Sequence, residues 1–238
     1  MKFASVDGKR VKPEPKLKGK CPHCGQDTVA KCGSVKVWHW AHKSKRHCDP
    51  WWEPETEWHR RWKEQFPEEW QEIGRRDKTG ELHVADILTP EGMVLEFQHS
   101  HIDREEVEKR TNFHKNICWV IDGLRLKTSL PQFDDALRYG IRRPSGNVPV
   151  FELFLSHSRL LRKWSGLNAP ITIDFGGDAI WVIGANLERS VLVYAIHRSN
   201  LVEQFKASNI PPAVEVRYNQ RTVSTGYRGP VRGMRDRI

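Results

Sequence analysis

Two runs in the middle of the chain restrict its fold more than any other stretch: LHVADIL at 82–88 and MVLEFQ at 93–98. Both have strand character, and Thr89, Pro90, Glu91 and Gly92 between them read as a turn. Alternation places Glu96 and Gln98 on one face of the second strand. A hairpin pivoting about Glu91 sets Asp86 opposite Glu96, with Cβ atoms roughly 5 Å apart. Two carboxylates and an amide then converge among Val, Ile, Leu and Phe side chains. Such acids repel one another and are costly to bury unless a cation sits between them, and a divalent metal fits that place. The plainer alternative is that both acids decorate the solvent face of a half-exposed pair.

A second metal-type pattern precedes the hairpin. C-P-H-C-G at 21–25 is a knuckle in which two cysteines close on one ion and Gly25 permits the tight backbone. The other two ligands must come from Cys32, His39, His42, His47 and Cys48. The set chosen is Cys21, Cys24, His42 and Cys48 holding structural Zn²⁺, with His39 in reserve. A redox role for the C-x-x-C pair lacks the surrounding βαβ pattern. Five cysteines is an odd number, which argues for metal binding plus spare thiols rather than a disulfide framework.

Between these patterns, 53–66 reads as a helix with Pro54 in its first turn. Trp58, Trp62 and Phe66 recur at i+4 and mark a buried stripe. Glu55 falls on that stripe, His59 and Lys63 at its edge, and Glu57 points away. Glu55 and His59 are therefore candidates to reach an active site, though an acid also suits the first turn of any helix. A strand at 70–74 and a charged turn lead into the hairpin. A helix follows at 102–115, with Asp103 as N-cap and Glu106 at the capping-box position. ICWVI at 117–121 is a buried strand. The order helix, three strands, helix, strand carries its acids on the first helix and on the second and third strands.

Residues 124–150 read as linker and short helix. Residues 151–164 look helical, and strand-like runs follow at 171–175, 179–183 and 191–196. Arg159, Arg162 and Lys163 form a basic cluster there. The expected organisation is a basic arm and zinc module at 1–50, a core at 51–125, a small α+β subdomain at 126–216 and a basic, disordered tail at 217–238. Ten tryptophans are present, and the five between Trp38 and Trp58 are expected to pack the first module against the core. Lys and Arg number 39 against 30 Asp and Glu, a net charge of +9 that favours a polyanion, nucleic acid before membrane. No apolar run is long enough to span a bilayer and no secretory signal is visible, so the cytoplasm is the expected location.

C-P-H-C-G, H-W-A-H, E-T-E-W-H-R-R-W-K, H-V-A-D-I, E-F-Q-H-S and C-W-V-I-D-G follow one another over about residues 20–123, and this series resembles the competence protein CoiA-like family. The resemblance implies an α/β fold with a mixed α+β sheet. A restriction-endonuclease-like PD-(D/E)xK core of order αβββαβ would follow the zinc module. It implies a metal-dependent nuclease acting on phosphodiester bonds, of DNA rather than RNA, in DNA uptake, processing, recombination or defence. Asp86 matches the metal-binding Asp. Glu96 and Gln98 match the Glu-x-Lys element, with Gln in place of Lys, and Glu55 or Glu57 with His59 matches the helix-borne motif. Asp86, Glu96 and the Phe97 carbonyl would hold Mg²⁺ or Mn²⁺, Gln98 would orient water and Glu55 would hold a second ion. His59 or Lys63 would contact phosphate, and Arg159, Arg162 and Lys163 would contact the nucleic acid. The rival reading is a non-catalytic nucleic-acid-binding protein that keeps the fold. A zinc-organised scaffold without nucleic acid fits poorly with the charge.

Overall fold

The N-terminal stretch expected as a basic arm folds into strands, because its short basic runs alternate with turns at Asp7-Gly8 and Pro15-Lys16. In the computed structural model, which describes residues 1–44, 48–145 and 148–213, these are β1 (Ala4–Val6), β2 (Lys9–Val11) and β3 (Lys18–Lys20). With β4 (Asp27–Lys31) and β5 (His39–His42) they form an antiparallel sheet ordered β2-β1-β3-β4-β5. His47 and the tail expected to be disordered lie outside the described residues.

A helix, α1 (Glu57–Lys63), follows. It is shorter than its periodicity suggests, because Thr56 is the N-cap, its hydroxyl accepting the His59 N–H at 3.3 Å. Pro54 and Glu55 thus precede the helix, and Phe66 lies beyond its end. Next come β6 (Gln71–Arg76), β7 (Leu82–Leu88), β8 (Val94–Gln98), α2 (Arg104–His114) and β9 (Ile117–Asp122). Asp103 caps α2 as expected, its carboxylate accepting the Glu106 N–H at 2.8 Å. β6, β7 and β8 pair antiparallel, and the α2 crossover returns β9 parallel to β8.

The rest of the chain adds α3 (Ser129–Arg138), β10 (Ile141–Arg143), β11 (Val150–Phe154), α4 (Arg159–Trp164), β12 (Ile171–Asp174), β13 (Ala179–Asn186), β14 (Ser190–His197) and α5 (Arg198–Lys206). Two expectations fail locally. Residues 150–154 form a strand rather than the start of a helix, since Val150 and Glu152 pair with Tyr194 and Leu192. The helix α5 had no counterpart in the sequence reading. β12 pairs in parallel with β9, so all these strands join one nine-stranded sheet, β10-β11-β14-β13-β12-β9-β8-β7-β6. The sheet runs without a break through the boundary expected at residue 125.

The architecture is mixed α+β with two sheets. α2, α3 and α4 cover one face of the large sheet through Val107, Phe133, Leu161 and Trp164, packed on Trp119, Ile121 and Ile173. α1 and α5 cover the other through Trp62, Leu201 and Phe205, packed on Leu95, Phe97 and Val120. The N-terminal module docks on the edge strand β6, which would otherwise offer unpaired backbone groups. The approach is close enough that a Cβ at Gly74 would stand 2.6 Å from His23 Nδ1. Trp51 from the tryptophan-rich segment stacks on His83 of β7, while Trp40 is buried and donates its indole N–H to the Val11 carbonyl. No helix among the described residues is long and apolar enough to cross a membrane.

Candidate functional site

The β7–β8 ladder pairs Ile87 with Leu95 and Leu88 with Val94, a register that carries Asp86 opposite Glu96. There the backbone ladder gives way to side chains. The Asp86 N–H donates to Glu96 Oε1 at 3.3 Å, and the Phe97 N–H donates to Asp86 Oδ2 at 3.0 Å. On the other side, the β6–β7 register pairs Gln71 with Ile87 and Ile73 with Ala85, which sets Glu72 opposite Asp86. Three carboxylates therefore form a row across three neighbouring strands. Glu72 has φ 49°, an uncommon conformation for a side-chain-bearing residue and one that clusters at functional sites.

The charges in the row are balanced unevenly. Lys63 of α1, 3 % exposed, reaches Glu55 at 2.6 Å, Glu72 at 3.0 Å and Asp86 at 3.6 Å. Burial alone would favour neutral Lys63, but Glu72, Glu55 and Asp86 outweigh it and raise its pKa. Glu72 is buried too, yet Lys63, the chain's N-terminal amine and the Lys2 N–H bring its pKa down to about 2. Glu96 differs. Its nearest basic groups, Arg110 at 3.8 Å and the His114 imidazole at 4.0 Å, are more distant. Burial, reinforced by Asp86, pushes its pKa well above the ordinary carboxylate value. His114 itself is driven by burial and Arg75 down to about 3, so it stays neutral and lends Glu96 no charge.

These groups open into a cleft of about 860 Å³ that Glu53, Glu55, His59, Lys63 and Gln98 also line. Gln98 donates its amide N–H groups to Glu53 Oε1 at 3.0 Å and Ser100 Oγ at 3.1 Å. Arg110 holds Glu53 from the other side at 3.3 Å. Glu55 is bound by Lys63 and by Arg60 at 2.5 Å, which together keep its pKa low against burial. Glu57 is exposed on the first turn of α1 and lies away from the cleft. His59 is hydrogen-bonded to Thr56 at 2.9 Å, and burial lowers its pKa.

Lys63, expected with His59 as an alternative phosphate contact, is buried and paired with three carboxylates. Arg159 and Lys163 line a second, neighbouring cavity, whereas Arg162 is exposed and does not. Glu53, Glu72 and Arg110 escaped the sequence reading. The register of β6 against β7 points to Glu72. A cation on the buried Val107, Arg110, Thr111, His114 stripe of α2 points to Arg110.

One wall of the cleft comes from the N-terminal module. Cys21, Cys24, His42 and Cys48 bring one ligand atom each to within 4.8 Å of one another. Cys21 Sγ is 3.7 Å from Cys48 Sγ, and Cys24 Sγ is 3.3 Å from His42 Nε2. A zinc tetrahedron with ordinary Zn–S and Zn–N bonds has edges of about 3.8 and 3.5 Å, so the set fits zinc. Hydrogen bonds from the Cys48 thiol and from the His23 N–H hold Cys21 down to about 4, as a ready thiolate. Cys32 and His39 stand outside the cluster. Residues 15–50, which contain all four ligands, match the family model described as Competence protein CoiA, N-terminal domain.

This module is CoiA-like. The match covers residues 15–50, so it identifies the N-terminal module and not the sheet that follows. No curated protein and no solved structure matches the chain. Cys48 closes the CoiA-like module, and from it Asp49 runs straight into the cleft wall. The Asp49 carboxylate takes the Trp51 N–H at 2.9 Å and the Val84 N–H at 2.8 Å, and it pairs with His83 at 2.9 Å. The segment carrying Glu53 and Glu55 is thus pinned between the CoiA-like cluster and β7.

Proposed function

We propose that the chain is a competence-related, divalent-metal-dependent nuclease of restriction-endonuclease-like PD-(D/E)xK type, acting on DNA in preference to RNA. The observation that carries this reading is the register of β7 and β8, which seats Asp86 and Glu96 side by side in an open cleft. An all-oxygen donor set suits Mg²⁺ or Mn²⁺, which keep several waters. Asp86 and Glu96 would hold the ion. When bound, it supplies a more acidic water and neutralises charge on the phosphate.

The chain's own residues do the rest. Glu96, whose pKa its surroundings raise, would bind the ion as the carboxylate, so binding would favour loss of its proton. Lys63, 3.6 Å from Asp86, supplies from α1 the positive charge that Gln98 lacks on β8. Gln98 and Ser100 keep Glu53 aimed at the cleft, and neutral His59 can accept a proton at its mouth. The CoiA-like module holds zinc as a structural ion, because four protein ligands leave no position for substrate.

The test is cleavage of labelled single-stranded and duplex DNA and RNA with Mn²⁺ or Mg²⁺, comparing wild type with Asp86→Asn and Glu96→Gln. Outer partners of a metal alone are worth 10–100-fold, so loss of a ligand should cost at least about 100-fold. Equal rates in all three proteins sink the assignment. One observation favours a binding-only protein: the Gln98 amide NH2 is engaged by Glu53 and Ser100 rather than free to donate to a water. Tight DNA binding without cleavage in either metal would select that reading.

A further inference from the structure

The second cavity lies between the loop after β9, the start of α3 and α4. Gln98 lines both this cavity and the carboxylate cleft, so the two open side by side. Three cations line it: Arg125, Arg159 and Lys163. None of them makes an ion pair among the described residues, whereas Lys63, Arg110, Arg143 and Arg198 do; Arg125 and Lys163 are half-buried and Arg159 is exposed. The one acid in the lining, Asp122, is spent on His99 Nδ1 at 2.6 Å and on the Leu124 N–H at 2.8 Å. Like charges thus gather at a half-covered site without a counter-anion. Burial and Arg125 together lower the Lys163 pKa, as that crowding requires.

An independent observation points the same way. The cavity lies at the N-terminus of α3, a ten-residue helix whose cap residue Thr128 makes no side-chain bond to it. Ser129, 7 % exposed, lines the cavity, and its hydroxyl has no hydrogen-bond partner among the described residues. A free helix N-terminus favours negative charge. Arginine forks with a helix start match the oxygens of a phosphate.

We infer that this cavity is a phosphate subsite that grips the nucleic-acid backbone next to the phosphodiester held at Asp86 and Glu96. The inference rests on the cleft being a nucleic-acid site and adds where a second phosphate of the strand is bound. Arg125 and Lys163 contact its oxygens, Arg159 lies at the rim, and Ser129 donates its hydroxyl.

The experiment measures binding of a short fluorescein-labelled DNA strand by anisotropy over a salt series, in buffer without Mg²⁺ or Mn²⁺. Wild type is compared with Lys163→Gln, Arg125→Gln and the double variant, with Lys206→Gln as the control. Each single neutralisation should weaken binding about tenfold and lower the slope of log affinity against log salt by roughly one. Lys206→Gln should change neither. Melting temperatures should stay level, because the two cations have no ionic partners to lose. A folded double variant with wild-type affinity and slope overturns the inference. So does calorimetry in which inorganic phosphate binds wild type and not the double variant while DNA affinity is unchanged, which would mark a free-phosphate site. If wild type cuts DNA and the double variant binds and cuts equally well, the subsite fails and the hydrolase reading survives. If the variants lose DNA affinity and wild type never cuts, the subsite stands and the hydrolase reading fails.

Discussion

The Cys/His cluster and the carboxylate cleft share the segment after Cys48, yet their charges are arranged in opposite ways. In the cluster, three sulfurs and an imidazole nitrogen already stand at the separations of a closed tetrahedron. Such a set contributes folding energy when filled and has no position left for chemistry. In the cleft, Lys63 and Arg110 occupy the electrostatic place of an ion, and burial beside Asp86 raises the pKa of Glu96. A site neutralised in this way keeps its shape empty. On the proposed reading, one region is permanent and the other exchanges what it holds.

Stripping zinc should break that contrast most visibly. Cys24→Ser, or treatment with a zinc chelator, should cost about 4 kcal/mol or more, given that zinc supplies on the order of 10 kcal/mol in small zinc folds. For a chain of this size that is a fall in Tm of roughly 8–16 °C. Depleting Mg²⁺ and Mn²⁺ should leave Tm almost unmoved. Calorimetry with each chelator separates the two, and equal shifts would erase the distinction between permanent and exchangeable sites.

The second prediction concerns the cation that keeps the empty cleft standing. Lys63→Met leaves Glu55, Glu72 and Asp86 without their shared partner, and breaking a buried pair costs about 3–5 kcal/mol. The pH dependence has a fixed sign. The Glu72 pKa is depressed from 4.5 to about 2, so its stabilisation is present above 4.5 and lost as pH falls toward 2. Wild type should lose stability across that window and Lys63→Met should not, so denaturant midpoints converge at acid pH. A gap that stays constant with pH would mean that Lys63 acts by packing alone.

The two regions differed equally in how far they could be read from sequence. The four zinc ligands were legible because a knuckle fixes two of them and nearby Cys and His residues are few. Asp86 and Glu96 were legible because a hairpin register is arithmetic once its turn is placed. Glu72 needed the same arithmetic on a second hairpin, with its pivot in a charged turn that shows no clear centre. Glu53 and Glu55 lie in irregular chain, where periodicity says nothing, and Thr56 moved the helix start past the position assumed for Glu55. The joining of β12 to β9 depends on long-range pairing of apolar runs, which local pattern does not specify.

A smaller effect of opposite sign comes from Glu96→Gln. The wild-type acid is raised by burial and by Asp86. Its contribution is therefore full below its unfolded pKa and is lost as pH rises through the folded value. Removing the charge should stabilise the metal-free protein by on the order of 1 kcal/mol at alkaline pH and by little at acid pH. The same variant should fail to bind Mn²⁺, whereas wild-type affinity rises with pH because binding displaces the proton. Unfolding curves and Mn²⁺ titrations at two pH values check both halves. A variant less stable than wild type at alkaline pH would mean that Arg110 already balances Glu96.

The smallest effect decides whether the two sites are independent. Glu53 accepts hydrogen bonds from Gln98, Ser100 and Arg110, and it reaches them on a segment fixed at one end by Cys48 and Asp49. Glu53→Gln weakens the charge-assisted bonds and keeps the shape, a loss of about 1 kcal/mol. If zinc positions this segment, those bonds are already loosened in the zinc-depleted protein, and the same substitution should then cost only a few tenths of a kcal/mol. Denaturant unfolding of both proteins with and without zinc closes the cycle. A cost that persists undiminished after zinc removal would show that Asp49 alone, through its bonds to Val84 and His83, holds the acid in place, and the permanent site would have no hold on the exchangeable one.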